Sequence, residues 1–419
     1  MKLIEDDANI DPILKEPTVA GYITFRRLEC RIYSSCDDPE NIFKGCYSII
    51  AIPVQNEELY IANCLIALAR QSCRVPYGVV LLLNNCTDST SAVVRSLIPR
   101  LPMPVLVIDT TLPAKFANAG VARGLAMESA ARLAAPDSIL MTTDADGRVY
   151  PDWIAANLAA LHAGAEVVAG RAELDSADAS RLPERLQDDN EEESSYDRLL
   201  DEIHAKLDPD PVDPWPRHTE HSGASIAVTV NAYRKAGGIP TVPLGEDRAF
   251  IEALRRVDAR VRHAPEVRVV VSGRITGRAI GGMADTIRRR LERSDEMLDA
   301  RLEPARIAAE RAWMRGFSRQ IWSGGKRTEA SIDWLSRRSK IPATQVRDLL
   351  ASTRFGEAWF QLESRSPSLR KLPVFTRDLP MQMKVARMIL DTLDCRSVRI
   401  VHGPEGPGDS PGSGAAQVS

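Results

Sequence analysis

Short aliphatic and β-branched runs alternate along this chain with stretches whose apolar residues recur at helical spacing. Tyr47-Ser48-Ile49-Ile50-Ala51-Ile52-Pro53 is the first run and predicts a buried strand. After Asn56-Glu57-Glu58, the residues Leu59, Ile61, Leu65, Leu68 and Ala69 fall on one side of a helix. Val79-Val80-Leu81-Leu82-Leu83 predicts a second strand. It ends in Asn84-Asn85-Cys86-Thr87-Asp88-Ser89-Thr90, a loop and helix-cap composition. Val93, Val94, Leu97 and Ile98 suit the next helix, Val105-Leu106-Val107-Ile108 a third strand, and the Ala-rich stretch 117–135 another helix. Ser138-Ile139-Leu140-Met141-Thr142-Thr143 predicts a fourth strand that runs into Asp144-Ala145-Asp146-Gly147. Pro151-Asp152-Trp153 opens a further helix, and 166–170, 226–230 and 267–271 read as later strands. Strands that alternate with helices and are apolar on both faces predict right-handed βαβ units. The expected fold is α/β, a mostly parallel Rossmann-like sheet sandwiched by helices.

The flanks have a different texture. Residues 1–45 read as an extension and 46–285 as the α/β domain. From 286 to 402 the chain is charged and helical, as in Ile287-Arg288-Arg289-Arg290-Leu291-Glu292-Arg293, with Trp313, Trp322, Trp334 and Trp359 as anchors. The arginine run reads as the charged outer face of packed helices, with peripheral membrane contact the lesser reading. The last stretch, 403–419, is rich in Gly, Pro and Ser and reads as disordered. The acidic run Asp188-Asp189-Asn190-Glu191-Glu192-Glu193 reads as a solvated helix start or mobile loop.

Composition removes several functions. Among 419 residues, 54 are Lys or Arg and 57 are Asp or Glu, a formal charge of −3. That balance argues against a polyanion-coating protein, and 5% aromatic residues argues against a base-stacking platform, so nucleic acid is not an expected partner. The first residues bring acids at once, so no secretory signal is expected, and no apolar run is long enough for a transmembrane helix. The 7 Cys include no CxxC pair, which predicts reduced thiols rather than a zinc or disulfide framework, and a cytoplasmic protein.

The chemistry gathers at strand ends. Open parallel sheets bind ligands beyond the carboxyl ends of their strands. Three of those ends carry polar clusters: Gln55-Asn56-Glu57, Asn84 to Asp88, and Asp144-Ala145-Asp146. In an extended segment, residues two apart point the same way. Asp144 and Asp146 are therefore expected to reach one hard cation, Mg²⁺ or Mn²⁺, with positions left for phosphate oxygens. A helix cap with an acidic loop is the plainer reading of the same string.

Ile52-Pro53-Val54-Gln55-Asn56-Glu57, Asn84 to Asp88, Gly120-Val121-Ala122-Arg123, Asp144-Ala145-Asp146 and Gly245-Glu246-Asp247 follow one another over 46–285. This series resembles the family 2 glycosyltransferases of GT-A fold. The resemblance implies a hexosyl-type, inverting transfer from a nucleotide-sugar donor to an acceptor hydroxyl, with a divalent metal. It places Pro53, Asn56 and Glu57 beside the nucleotide. Asn84 and Asn85 stand where many members carry an Asp pair that contacts base or ribose. Asp88 is a further polar contact or a cap for the next helix. Arg123 is implied to pair with the nucleotide pocket or the DxD loop, where Asp144 also meets the donor.

The acid implied to deprotonate the acceptor is Asp247, with Glu246 as alternative or support; a helix start with acids at its dipole is the plainer reading. The loop His218-Thr219-Glu220-His221-Ser222-Gly223 falls where the family has an acceptor-side loop, so His218, His221, Ser222 and Gly223, with Trp215 from Asp213-Pro214-Trp215-Pro216, are acceptor-side candidates. Arg274 and Arg278, in Ser272-Gly273-Arg274-Ile275-Thr276-Gly277-Arg278, suit a diphosphate or an anionic acceptor. The expected reaction is one transfer to a small or soluble acceptor. Two other readings remain. One is a sugar-nucleotide sensor or scaffold without turnover. The other is a nucleotidyltransferase of related fold, which the lack of a Gly-rich basic loop after the first strand disfavours.

Overall fold

The computed structural model describes residues 2–4, 30–36, 38, 41–274, 283–293, 295–325 and 327–401. Its strands are β1 (Lys2–Ile4), β2 (Cys30–Ser34), β3 (Ser48–Val54), β4 (Tyr77–Asn84), β5 (Val105–Thr110), β6 (Ile139–Thr142), β7 (Arg148–Val149), β8 (Val167–Leu174), β9 (Ile226–Thr229) and β10 (Val261–Val271). They form one sheet in the order β1-β2-β5-β4-β3-β6-β9-β8-β10-β7. The pairs β5–β4, β4–β3, β3–β6 and β8–β10 are parallel. β9 enters antiparallel between β6 and β8, so β6 and β8 run the same way. The carboxyl ends of β3, β4, β5, β6, β8 and β10 therefore share one edge.

The segment read as an amino-terminal extension contributes two of these strands. β2 pairs antiparallel with β5, and β1 with β2. Antiparallel edge pairing needs no crossover helix, so the βαβ rhythm gives no sign of it.

The helices are α1 (Ile61–Ala69), α2 (Thr90–Leu97), α3 (Ala119–Leu133), α4 (Trp153–His162), α5 (Ser176–Ala179), α6 (Glu184–Leu207), α7 (Val230–Ala236), α8 (Glu246–Arg256), α9 (Met283–Glu292), α10 (Ala305–Trp322), α11 (Glu329–Ser339), α12 (Ala343–Leu349), α13 (Phe355–Arg365) and α14 (Leu379–Val401). α3, α7 and α8 cover one face of the sheet, where Ile49, Ala51, Val80, Leu82 and Leu140 meet Val121, Leu125, Phe250 and Leu254. α1, α2 and α4 cover the other face, where Ile50, Ile52, Leu81 and Met141 meet Leu65, Val94 and Trp153. Alternate residues of one apolar strand thus feed two cores, which explains its unbroken hydrophobic run.

The carboxyl-terminal helices have cores of their own. α10 to α13 enclose Met314, Leu335, Trp359 and Leu362. α10 and α14 pack around α6, burying Tyr196, Leu200, Ala308 and Leu390. The acidic run 188–193 lies inside α6 rather than at a helix start or in a loop. Its charge has a partner, since Arg290 donates to Asn190 and Glu193 at 2.9 Å each. No helix among the described residues is long and apolar enough to cross a membrane. The 403–419 stretch lies outside the described residues.

Candidate active site

The loop after β3 and the loop after β4 are stitched together by their own polar residues. Asn56 takes a left-handed φ of +52°, and its side-chain oxygen accepts from the N–H of Thr87 at 2.7 Å and of Asp88 at 3.3 Å. Asn85 has the same φ, tolerable for Asn because its short amide can bond locally. That amide donates to the Leu112 carbonyl at 2.9 Å and accepts from the Leu112 N–H at 3.0 Å. Both ends of Asn85 are thereby used up in holding the β5 loop. Asp88 accepts from the N–H of Thr90 at 3.0 Å and of Glu58 at 3.2 Å. Burial opposes its charge, but these hydrogen bonds hold its carboxyl below the usual range. Asn84, 2% exposed at the end of β4, spends its side chain on no hydrogen bond among the described residues. Pro53 is half-buried within β3.

β6 stops at Thr142, and Asp144 to Gly147 is a turn, closed by the Gly147 N–H on the Asp144 carbonyl at 3.0 Å. The strand alternation expected to align Asp144 and Asp146 therefore does not extend to them. Each carboxylate instead meets its own arginine. Asp144 accepts from Arg123 at 2.5 Å, and Asp146 lies 3.1 Å from Arg274. Arg274 also grips buried Glu57 through two bonds of 2.6 Å. The Asp146 carboxyl is pushed up to about 7, first by burial and then by Asp144, against the pull of Arg274. The sequence reading turned Arg274 toward a diphosphate; it reaches the acids instead. Arg278 lies outside the described residues.

Arg123 is the centre of the arrangement. It projects from α3, is 4% exposed and contacts four groups. Besides Asp144, it reaches the Thr142 hydroxyl at 2.9 Å, the Gly223 carbonyl at 2.8 Å and Glu246 at 3.3 Å. Burial works against its charge, but Asp144 and Glu246 more than offset that and raise its pKa. Small residues let the parts close up. A Cβ on Gly120 would lie 3.0 Å from the Cβ of Glu246, and one on Gly223 would lie 2.6 Å from the Arg123 guanidinium.

Gly245, at φ +74°, turns the chain into α8 and sets Glu246 and Asp247 in its first turn, where the helix dipole favours acids. Asp247 accepts from the Gly223 N–H at 3.1 Å and from its neighbour Arg248 at 2.7 Å. Gly223 thus touches Arg123 with its carbonyl and Asp247 with its N–H. Ser222 braces the same turn by accepting from the Ala224 N–H at 3.3 Å.

The histidines are drawn inward. His221 and His263 meet Nε2 to Nε2 at 3.1 Å, and Asp213 holds His263 Nδ1 at 2.7 Å. Burial lowers the pKa of His221 and takes His218 down to about 3, so both rings stay neutral. Trp215 stands 41% exposed near the amino-terminal end of β10, where Arg262 donates to the Pro214 carbonyl at 2.8 Å. That is the opposite edge of the sheet from the carboxylates, and Trp215 is not brought to them. Thr142 was not singled out as a site residue from sequence, although its hydroxyl accepts from Arg123 at 2.9 Å; it read only as the end of a strand.

The donor set can be weighed for a divalent cation. Among the described residues no group of three His, Cys, Asp or Glu side chains could hold a metal. Two hard carboxylates in a crowded, part-buried turn remain. They fit Mg²⁺ or Mn²⁺ only in the mode where phosphate oxygens and water complete the shell.

A central, mostly parallel α/β sheet with carboxylates at its carboxyl edge and a helical carboxyl-terminal region is a GT-A-like fold. The family model described as glycosyl transferase family 2 matches residues 49–206, and that stretch is a family 2 glycosyltransferase domain. The match takes in Arg123, Asp144 and Asp146 and ends before Asp247. No curated protein gives a significant match.

Solved structures similar to the chain include TarS 1–349 of S. aureus in complex with UDP-GlcNAc, at 16% identity over 76% of this chain and 90% of that one, with a TM-score of 0.41. The mannosyltransferase PcManGT of Pyrobaculum calidifontis, in complex with GDP-Man and Mn²⁺, gives 15%, 84%, 87% and 0.40. Glucosyl-3-phosphoglycerate synthase of Mycobacterium tuberculosis, with Mn²⁺, UDP and phosphoglyceric acid, gives 14%, 56%, 70% and 0.32. Likeness at these scores specifies neither donor nor acceptor.

Proposed function

We propose that the protein transfers a sugar from a nucleotide-diphosphate-sugar donor to an acceptor hydroxyl, with inversion and with Asp247 as the base. One observation carries this reading: Arg123 ties the Asp144 carboxylate to the Gly223 peptide, whose other side holds Asp247. A donor anchored at Asp144 and an acceptor presented to Asp247 would then share one rigid frame. Asn84 has a free amide for the base, while Pro53, Asn56 and Glu57 build the nucleotide wall.

Asp247 accepts the proton as the acceptor oxygen attacks the anomeric carbon, opposite the departing diphosphate. Its bond to the Gly223 N–H keeps one oxygen fixed. Mg²⁺ or Mn²⁺ held by Asp144 and Asp146 would supply positive charge to the leaving diphosphate. Arg274 brings a second positive charge within 3.1 Å of Asp146 and keeps Glu57 in place.

The test is a panel of UDP- and GDP-sugars with the purified protein, with and without Mg²⁺ or Mn²⁺, scored by release of nucleoside diphosphate. Metal-dependent release from one donor is expected, and Asp144→Ala should weaken metal-dependent donor binding. Tight nucleotide binding without turnover across a broad acceptor panel would replace the enzyme by a sensor.

A further inference from the structure

The helix that carries Asp247 is pinned at both ends, and the carboxyl-terminal region holds the far one. Along α8, Phe250, Ile251 and Leu254 are buried against the sheet. Apolar burial holds a helix down but is non-directional, and packed helices slide past one another in small shear steps. The position of α8 along its own axis is therefore set by directional contacts at its termini.

At the amino-terminal end, Asp247 accepts from the Gly223 N–H at 3.1 Å. At the other end, Arg255 meets His263 Nε2 through Nη2 at 3.3 Å, and His221 Nε2 meets the same nitrogen at 3.1 Å. A guanidinium can only donate, and Asp213 takes His263 Nδ1 at 2.7 Å. His263 Nε2 is therefore the acceptor, and His221 is its second donor. His221 stands two residues before Gly223. Both ends of α8 thus hold one short loop, and Asp247 meets Gly223 only while α8 keeps its axial place.

Helix α13 fixes that place. Just past α8, Asp258 holds a left-handed φ of +59°. Its two carboxylate oxygens accept from the N–H of Phe355 at 3.0 Å and of Gly356 at 2.7 Å. An acid from outside thereby caps the start of α13, where Arg354 at the N-cap makes no side-chain cap bond among the described residues. Gly356 lets the two backbones touch, since a Cβ there would overlap the Arg255 carbonyl oxygen and lie 2.7 Å from its carbon. Arg256 donates to Glu357 at 2.7 Å and lies over the Phe360 ring. Beside this seam is a cavity of about 450 Å³, with Ala253, Arg256, Ser352, Arg354 and Glu357 in its lining, so the end of α8 has room to move once the seam is broken.

We propose that Asp258 and Gly356 are positioning residues for the transfer step: through them the carboxyl-terminal region fixes the axial register of α8 and hence the place of Asp247. This rests on the transferase reading above, in which Asp247 is the base. The donor side is independent of the seam, because Arg123 holds Asp144 and the Gly223 carbonyl without help from α8.

The test uses the full chain. Gly356→Ala must part the two backbones by roughly 1–2 Å to reach ordinary contact. It should lower kcat about 10²-fold with donor KM and donor affinity unmoved. Asp258→Ala should act the same way, and Asp258→Asn, which keeps one acceptor oxygen and suits the left-handed φ, should lose less. Hydrogen exchange reads the coupling without turnover: the Gly223 amide should exchange about tenfold faster in Gly356→Ala, while the amides of β4 keep their rate. Leu390→Ala, in the core between α6 and α14, is the control for general loosening of the carboxyl-terminal helices. A kcat that falls no further in Gly356→Ala than in this control overturns the proposal. So does an unchanged Gly223 amide, or donor affinity lost along with kcat. Absence of nucleoside diphosphate release from every donor in the wild type would sink the transferase reading alone, and the exchange rates would still decide whether α13 governs the Asp247 contact.

Discussion

Gly223→Ala should disable the site without removing a single charged group. A Cβ there lies 2.6 Å from the Cζ and Nη2 of Arg123 and 2.7 Å from its Nε. Ordinary contact needs about 3.5 Å or more, so the guanidinium must retreat by roughly 1 Å. Gly223 has no positive φ, so the effect is steric rather than conformational. Arg123 has little room to retreat, being 4% exposed and engaged at 2.9 Å with Thr142, 2.8 Å with Gly223 and 2.5 Å with Asp144. A 1 Å shift takes such bonds past about 3.2 Å. Overpacking costs about 1–3 kcal/mol, and losing a buried ion-pair partner about 3–5 kcal/mol. Because the pair is strained rather than deleted, about 2–4 kcal/mol of destabilisation is expected. Activity should fall further than stability, since Asp144 and Asp247 both hang on this contact. A misplacement near 1 Å costs about 10²-fold in kcat. Urea unfolding and nucleoside diphosphate release measure the two effects. Gly325→Ala is the control, with its nearest atom, the Gln320 carbonyl oxygen, at 3.7 Å. A Gly223→Ala protein with wild-type midpoint and wild-type kcat/KM would refute the reasoning.

Asp247→Asn should leave donor binding intact and lower transfer by about 10²–10⁴-fold, read as kcat with unchanged donor affinity; near-normal transfer would move the base elsewhere. Asn85→Asp replaces the donor that meets the Leu112 carbonyl, so about 1–3 kcal/mol of stability should be lost with donor KM unchanged; a changed donor KM would return Asn85 to the nucleotide. His204 is half-buried, its Nε2 enclosed without a partner among the described residues, and its pKa is lowered to about 4, first by desolvation, while the unfolded chain protonates near 6.5. The unfolded state therefore binds the extra proton, and stability from this group is lost as pH falls from about 6.5 toward 4. His204→Gln should recover about 2 kcal/mol relative to wild type between pH 7.5 and 5, measured by urea unfolding at both values; an equal difference at the two pH values would show that the ring is not held neutral.

The catalytic sheet was legible because its signals are local. An apolar run buried on both faces, such as Ile49 to Ile52, reads as a strand without knowledge of its neighbours. Asn56, Asp88, Asp144 and Asp247 stood out because polar residues at strand ends and helix starts break that pattern. What escaped was direction and partnership. Asp144 and Asp146 were read as extended neighbours aimed at one cation, but the chain turns after Thr142 and gives each an arginine from far away in sequence, Arg123 and Arg274. Asn85 has the composition of a base reader and the geometry of a loop clip, a difference that lies in Leu112, 27 positions on. β2 was hidden because antiparallel edge pairing leaves no helix-sized spacing behind it.

The same separation explains the near-neutral charge. The chain carries 54 basic and 57 acidic residues, and the site uses them as neighbours. Arg123 and Arg274 hold acids that would otherwise repel in a part-buried turn, and the Asp146 pKa is raised first by burial and then by Asp144. A cation held between Asp144 and Asp146 would relieve the like-charge contact that the two arginines leave. Arg123 sets a limit on that relaxation by fixing Asp144 to the peptide that holds Asp247. On the proposed reading, the donor end of the site is free to respond to charge, while its distance to Asp247 is kept by a buried guanidinium.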